Sequence, residues 1–292
     1  MGRHQRGGDH AGVHPEDNGI TRPCRRLGRI VTIGLAFDAA RAPNPQATLL
    51  LNDFDMSTAY DTLIEGVLEA GVRIDAIGLQ SHMYQGYWGE EVTLEVLDRF
   101  SRNGLPLHFT ETALVSGHLM PPEIDDLNDY RVDAWPSTPE GEARQAEDLE
   151  RHRRTLFSHP SVRFLTSWGL SDRDAWLGAP AGLVRADGSP KPSHDRLHRL
   201  VRDQWRAPPT DRRTDGEGRV RVDGWLGGCE LRLPPTGATA RLMLTTDPSA
   251  QGVHPSTPRR GRCGVEGRPG RTSRLTAAGR GCSRARPAAS AA

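Results

Sequence analysis

The chain has 292 residues, room for one large domain or two small ones. Hydrophobic residues make up only 36%, against 32 glycines and 22 prolines, so a packed core is expected over part of the chain and not throughout. A net charge of +1 gives no global pull toward nucleic acid or a membrane surface.

Lys191 is the only lysine, and arginine supplies the other positive charges, a bias expected of GC-rich coding sequence. Cys24, Cys229, Cys263 and Cys282 lie far apart and no C-x-x-C pair occurs, so neither a zinc site nor a redox motif is expected, while a disulfide stays open. No cofactor is implied. No apolar run approaches the ~18 residues of a membrane span. The start, Met1 to Asn18, is polar and rich in glycine and histidine, unlike a signal peptide. The chain as written reads as cytosolic, or as lacking its true N-terminus.

In chain order, residues 1–19 lack periodicity and read as disordered. Residues 20–42 read as a helix: Leu27, Ile30, Ile33 or Gly34, and Phe37 recur at helical spacing, and Pro43 to Pro45 stops it. Ala47 to Leu51 is a short apolar strand tipped by Asn52-Asp53. Tyr60, Leu63, Ile64, Val67 and Leu68 form a helical stripe closed by Gly71. Ile74 to Leu79 is the next strand, ending in Gln80-Ser81-His82. Val92, Val96 and Phe100 mark a helix closed by Asn103-Gly104. Leu105 to Glu111 is a strand that ends on a carboxylate. A long loop, Val115 to Pro136, follows. Ser137-Thr138-Pro139-Glu140 fits a capping box opening a helix to about Ser158. Val162 to Trp168 is a strand, and Pro192 to Trp205 a closing helix.

Strands alternating with helices imply a parallel sheet with right-handed crossovers. The strands are nearly all apolar, as expected when both faces are buried. A doubly wound sheet would need a glycine-rich phosphate loop, and no G-x-G-x-x-G follows any strand. The better reading is a barrel, but only four strands are countable where a full barrel has eight. Pro208 to Asp215 reads as a linker. Gly218 to Leu233 and Arg241 to Thr245 read as a small β-hairpin element, too short to be a stable sheet alone. From Gln251 onward the chain is arginine, glycine, serine, proline and alanine, which cannot bury a core and reads as disordered. A frame-shifted reading of GC-rich DNA gives the same composition.

Each candidate residue has a plain alternative. Glu111 alone could be a solvated residue or a helix cap, and His82 a satisfied core histidine. Trp168 and Trp176 could be core, and Asn52-Asp53 a turn. Together they carry more weight. Consecutive strands place Asn52, Gln80 and His82, Glu111, and Trp168 at the same end of one sheet. That convergence suits a polar ligand and has no packing rationale.

These residues resemble glycoside hydrolase family 10, the endo-1,4-β-xylanases. The resemblance is carried by Asn52-Asp53-Phe54-Asp55 and by Asp75-Ala76-Ile77-Gly78-Leu79-Gln80-Ser81-His82. It continues through His108-Phe109-Thr110-Glu111, Trp168-Gly169-Leu170-Ser171-Asp172, Trp176-Leu177 and Asp187-Gly188-Ser189-Pro190-Lys191-Pro192. It implies an α/β fold, the last four strands of a (β/α)8 TIM barrel, over residues 17–206. Around it would lie a disordered 1–16, a linker and small β element over 207–250, and a disordered tail over 251–292. It implies xylan or a xylo-oligosaccharide as partner, with no nucleic acid, no membrane and a monomeric state. It implies retaining hydrolysis, in which Glu111 matches the nucleophile and His82 the histidine that orients it. Asn52 and Gln80 match sugar-contacting positions, and Trp168 and Trp176 the aromatic walls, which Trp88 could extend. A full-length member would be secreted.

The departure is at the front. The family's acid/base is a glutamate in Trp-Asp-Val-x-Asn-Glu, and no Asn-Glu occurs in this chain. It would fall near residues 1–5, which read Met1-Gly2-Arg3-His4-Gln5. Glu16 is the nearest carboxylate, but it sits beside the matched helix start. Two readings therefore stand together: a truncated xylanase with impaired activity, and an inactive xylan-binding remnant or pseudogene product. A third reading has the arginine tail bind nucleic acid.

Overall fold

The computed structural model describes residues 18–19, 21–216, 218–220, 225–233, 237–244 and the backbone of 274–279. The expected disorder of residues 1–16 and of most of the tail lies outside them, as do Glu16 and the 1–5 position. The chain divides into two units, Met1–Asp195 and Arg196–Ala292.

In the first unit, the helix expected over 20–42 is two helices, α1 (Thr21–Leu27) and α2 (Arg29–Arg41). Gly28 breaks them at φ 84°, a left-handed value that glycine adopts without penalty. The break changes the face: Ile30, Ile33 and Phe37 pack against the core, while Leu27 is exposed. Strand β1 (Leu50–Asp53) leads to α3 (Thr58–Glu69), where the Ser57 hydroxyl accepts from Ala59 N at 3.1 Å. That helix closes at Gly71 with φ 77°. Strand β2 (Ala76–Met83), α4 (Gly89–Ser101) and β3 (Leu107–Leu114) follow. Glu111 is thus inside its strand and not at the end, because β3 continues three residues further along β2.

Helix α5 (Pro139–Ser158) starts one residue later than a Ser137 capping box would place it. Pro139 takes the first turn, so Thr138 is the cap, and its hydroxyl accepts from Gly141 N at 3.0 Å. Ser137 instead bonds Ser116 and Glu142. The loop before α5 carries its own small core of Tyr84, Val115, Met120 and Trp135. Strand β4 (Val162–Ser167) completes the sheet, and Trp168 lies just past its end.

The four strands pair in the order β1-β2-β3-β4, all parallel. One face is dry: Ile77 and Leu79 of β2 and Leu107 and Phe109 of β3 pack with Ile64, Val67, Leu97, Phe100 and Leu156 of the helices. Gly78, Gln80 and His82 alternate with these and face the other side. The expectation that both faces are buried fails at β4, where Phe164 is 61% exposed. Its ring meets the ring of His108 on β3 at 4.5 Å.

Helix α6 (Pro192–Arg199) ends earlier than the sequence suggests, and a wider π turn continues it over Leu200–Gln204. The second unit holds an antiparallel sheet. Strand β6 (Gly227–Leu233) and β7 (Ala238–Leu244) form the expected hairpin, in register from Gly227↔Leu244 to Leu233↔Ala238. The presumed linker contains β5 (Thr210–Arg213), and the presumed disordered tail contributes β8 (Arg274–Gly279), giving the order β5-β8-β6-β7. Backbone pairing recruits these segments, and backbone pairing needs no apolar side chains.

His152 of α5 is fully buried among the rings of Tyr87, Trp88 and Phe109, with Thr93 Oγ1 3.5 Å from its Nδ1. Burial, helped by the neighbouring Arg153 charge, holds it from an ordinary 6.5 down to about 3. The unfolded chain therefore takes up a proton as pH falls through 6.5, and the folded chain does not. Stability is full above that value and is lost between pH 6.5 and about 3, by about 2 kcal/mol at pH 5. Urea denaturation across this range is expected to show the acid loss in the native chain and a flatter limb in His152→Gln.

Candidate active site

The site grows from a mismatch in strand pairing. Leu79 pairs with Phe109, but Gln80 pairs with Glu111, so Thr110 is an extra residue in β3. Phe109 and Glu111 have the same parity, and in a regular strand both would face the helices. The bulge re-aims Glu111 onto the face that carries Gln80 and His82. Thr110 is held by its hydroxyl, which donates to Asn52 Oδ1 at 2.7 Å. The Ser81 hydroxyl donates to the Glu111 carbonyl at 3.2 Å and shares a 2.8 Å bond with Thr112. A Cβ on Gly78 would collide with the Asn52 side chain, so the glycine is what lets that amide lie over the strand.

His82 Nε2 donates to Glu111 Oε2 at 2.9 Å, with side chains 10% and 18% exposed. Burial pushes His82 below its ordinary 6.5, against the pull of the Glu111 bond and charge. The imidazole is therefore neutral near pH 7, and its one proton must sit on Nε2 to meet a carboxylate. Its buried Nδ1 has no hydrogen-bond partner among the described residues. Three rings surround the histidine: Tyr84 at 5.8 Å, Trp168 at 5.7 Å and Trp176 at 5.6 Å between centroids. Burial, and then the Glu111 charge, push the Tyr84 hydroxyl up. Tyr84 escaped the sequence reading. Its signal was an aromatic two residues beyond His82, one residue past the end of β2.

The tryptophans ride on a loop that is clamped from below. Trp168 N donates to Thr112 O at 2.9 Å. Lys191, fully buried, donates from Nζ to Asp172 at 2.7–2.8 Å, to Ser116 Oγ at 2.9 Å and to Pro180 O at 3.3 Å. Burial lowers the Lys191 ammonium and Asp172 opposes that shift. Asp172 Oδ1 also accepts from Gly182 N at 2.9 Å. Arg185 makes a two-pronged bond to Glu142 of α5 at 2.8 and 2.5 Å. Gln145 of the same helix donates to Leu114 O at 2.7 Å.

Beside the histidine, a depression of about 470 Å3 is lined by Tyr84, Trp168, Leu170, Arg173, Asp174 and Trp176, among others. Glu111 and His82 are not in its wall, and the two indoles join it to them. The structure thus brings together Asn52, Gln80, His82, Glu111, Trp168 and Trp176. Trp88 stands apart. It precedes α4, and its ring meets His152 in the helical layer at 6.0 Å.

Parallel β/α barrels place their sites at the C-terminal ends of the strands, which is where His82, Glu111 and the two indoles lie. The family model for glycosyl hydrolase family 10 matches residues 24–199. The chain belongs to that family. Its members are (β/α)8 barrels, and the four parallel strands with their helices correspond to part of one. The chain is similar to endo-1,4-beta-xylanase/feruloyl esterase of Xylanibacter ruminicola, 32% identical over 50% of this chain and 20% of that protein. It is similar to endo-1,4-beta-xylanase A of Caldicellulosiruptor saccharolyticus, at 28% over 49% and 42%. Anti-sigma-I factor RsgI6 of Acetivibrio thermocellus is 26% identical over 69% and 24%. The chain spans less than half the length of each of these relatives. Among solved structures, the catalytic core of a xylanase A aligns with TM-score 0.53 and 25% identity over 65% of this chain and 61% of that one.

Replacing Lys191 with methionine keeps the bulk and strands the Asp172 carboxylate. The expected cost is about 3–5 kcal/mol, and neutralising both partners (Lys191→Met with Asp172→Asn) should recover part of it. Denaturation followed by tryptophan fluorescence measures both.

Proposed function

We propose that this chain carries the nucleophile half of a retaining glycosidase site acting on internal β-1,4-xylosidic bonds of xylan. The observation that carries the reading is the Glu111–His82 pair at 2.9 Å, held on the open face of the sheet beside two indoles. The xylanase relatives point to the same substrate.

In this reading Oε2 is occupied by the His82 proton, so Oε1 is the oxygen that attacks. Its electron pair forms a bond to the anomeric carbon, and the glycosidic C–O pair leaves with the departing sugar. Glu111 becomes a neutral ester. Water then attacks the same carbon and gives one proton to the conjugate base of the acid that protonated the leaving oxygen, or to solvent, and the carboxylate is released with its charge and its His82 bond restored. The neutral, Nε2-protonated His82 holds the carboxylate in one rotamer and does not compete as an acid. Trp168 and Trp176 offer flat apolar faces to sugar rings. Asn52 and Gln80 lie on the same face within reach of hydroxyls.

The step needs a proton on the leaving oxygen, from a carboxylic acid about 5–5.5 Å from the nucleophile. No Asn-Glu occurs in the 292 residues, and acid/base help is worth about 10²–10⁴-fold. This favours a second reading for the isolated chain, a xylan-binding half site with impaired or no turnover.

A substrate with a strongly acidic leaving group needs no protonation and separates the two roles. A 2-fluoro xylobioside bearing a dinitrophenolate is expected to add one fluoroxylobiosyl group to Glu111, seen by intact mass and peptide mapping. Glu111→Gln should give no adduct. An unlabelled native chain would remove Glu111 from the nucleophile role. Xylan itself should release reducing sugar at least about 100-fold more slowly than with a complete family member.

A further inference from the structure

We propose that the depression beside Trp168 and Trp176 receives an acidic branch of the substrate, a uronate carried on a xylan backbone, and that Arg173 recognises its carboxylate. This rests on the reading of the site as xylan-binding. Arg173 lines the depression. Its Nε and Nη2 both donate to Ala186 O, at 3.0 and 2.7 Å, which fixes the guanidinium plane. Its backbone N is tied to Ser171 Oγ at 3.0 Å. The edge bearing Nη1 and the second Nη2 proton is left over, and two parallel N–H groups are the fork that a carboxylate fits. Arg173 has no ion-pair partner among the described residues, so its charge is not already neutralised.

Shape and strain agree. The volume of about 470 Å3 falls within the range of small-ligand pockets. The two non-glycine residues at positive φ among the described residues, Asp174 at 56° and Leu177 at 59°, both belong to this loop. Such conformations persist where the surroundings impose them, and they gather at ligand clamps. Asp174 also lines the depression and makes no ion pair with Arg173. Its negative charge disfavours a carboxylate on its own side and so confines the ligand to the Arg173 fork.

Calorimetric titration of the full chain compares a neutral xylo-oligosaccharide with the same backbone carrying one uronic acid branch. The native chain is expected to prefer the acidic ligand, and the preference should shrink as salt rises. Arg173→Ala should lower the ratio of acidic to neutral affinity by about 10-fold or more. Arg173→Lys, which keeps the charge without the fork, should fall between. Asp174→Asn should raise the ratio. Equal binding of both ligands, or a preference that survives Arg173→Ala, overturns the uronate assignment and leaves the xylan reading standing. Binding of neither ligand overturns both.

Discussion

The buried ammonium of Lys191 is the constraint on which the site depends. It has three protons, and Asp172, Ser116 and Pro180 take them. A charge taken out of water is tolerable only when every donor is met. The satisfied geometry therefore fixes three separate pieces of chain at once: the exit of β3 at Ser116, and the loop after β4 at Asp172 and at Pro180. Trp168 and Trp176 stand on that loop. Glu142 and Gln145 of α5 extend the same polar layer, so the helix, the sheet and the loop share one set of hydrogen bonds. Partial satisfaction would be worse than an apolar filling, so the layer is all-or-none.

The other half of the site needs no such layer. Gln80, His82 and Glu111 are placed by strand pairing, with the Thr110 and Ser81 hydroxyls holding the bulge, and the side chains below them are ordinary core. The two mechanisms have different tolerances. Exchange among Ile77, Leu79 and Phe109 would change stability before it changed the position of Glu111. Exchange among the partners of Lys191 would move the indoles first.

Much of this was readable in the residues. Tyr60, Ile64 and Val67 recur at helical spacing, and all three are core. Asn52, Gln80, His82 and Glu111 do share a face. What escaped depended on partners distant in sequence or on single-residue geometry. Lys191 and Ser116 are 75 residues apart, and no local pattern announces their bond. The pairing of Thr210–Arg213 with Arg274–Gly279 joins segments whose compositions suggest a linker and a disordered tail. Trp88 is aromatic and follows the right strand, but the turn that starts α4 aims it at His152. Thr138 displaces Ser137 as the helix cap because Pro139 accepts only the first turn.

The bulge at Thr110 has a consequence for how such a site can change in evolution. β3 has one residue more than β2 at that point, so Glu111 keeps its place beside Gln80 although Thr110 stands between it and Phe109. Loss of the Thr110 codon would place Glu111 directly after Phe109, and ordinary alternation would still turn the carboxylate to the site beside Gln80; what would go is the Thr110 bond to Asn52. An in-frame deletion of three nucleotides there would thus be felt at Asn52 before it was felt at Glu111.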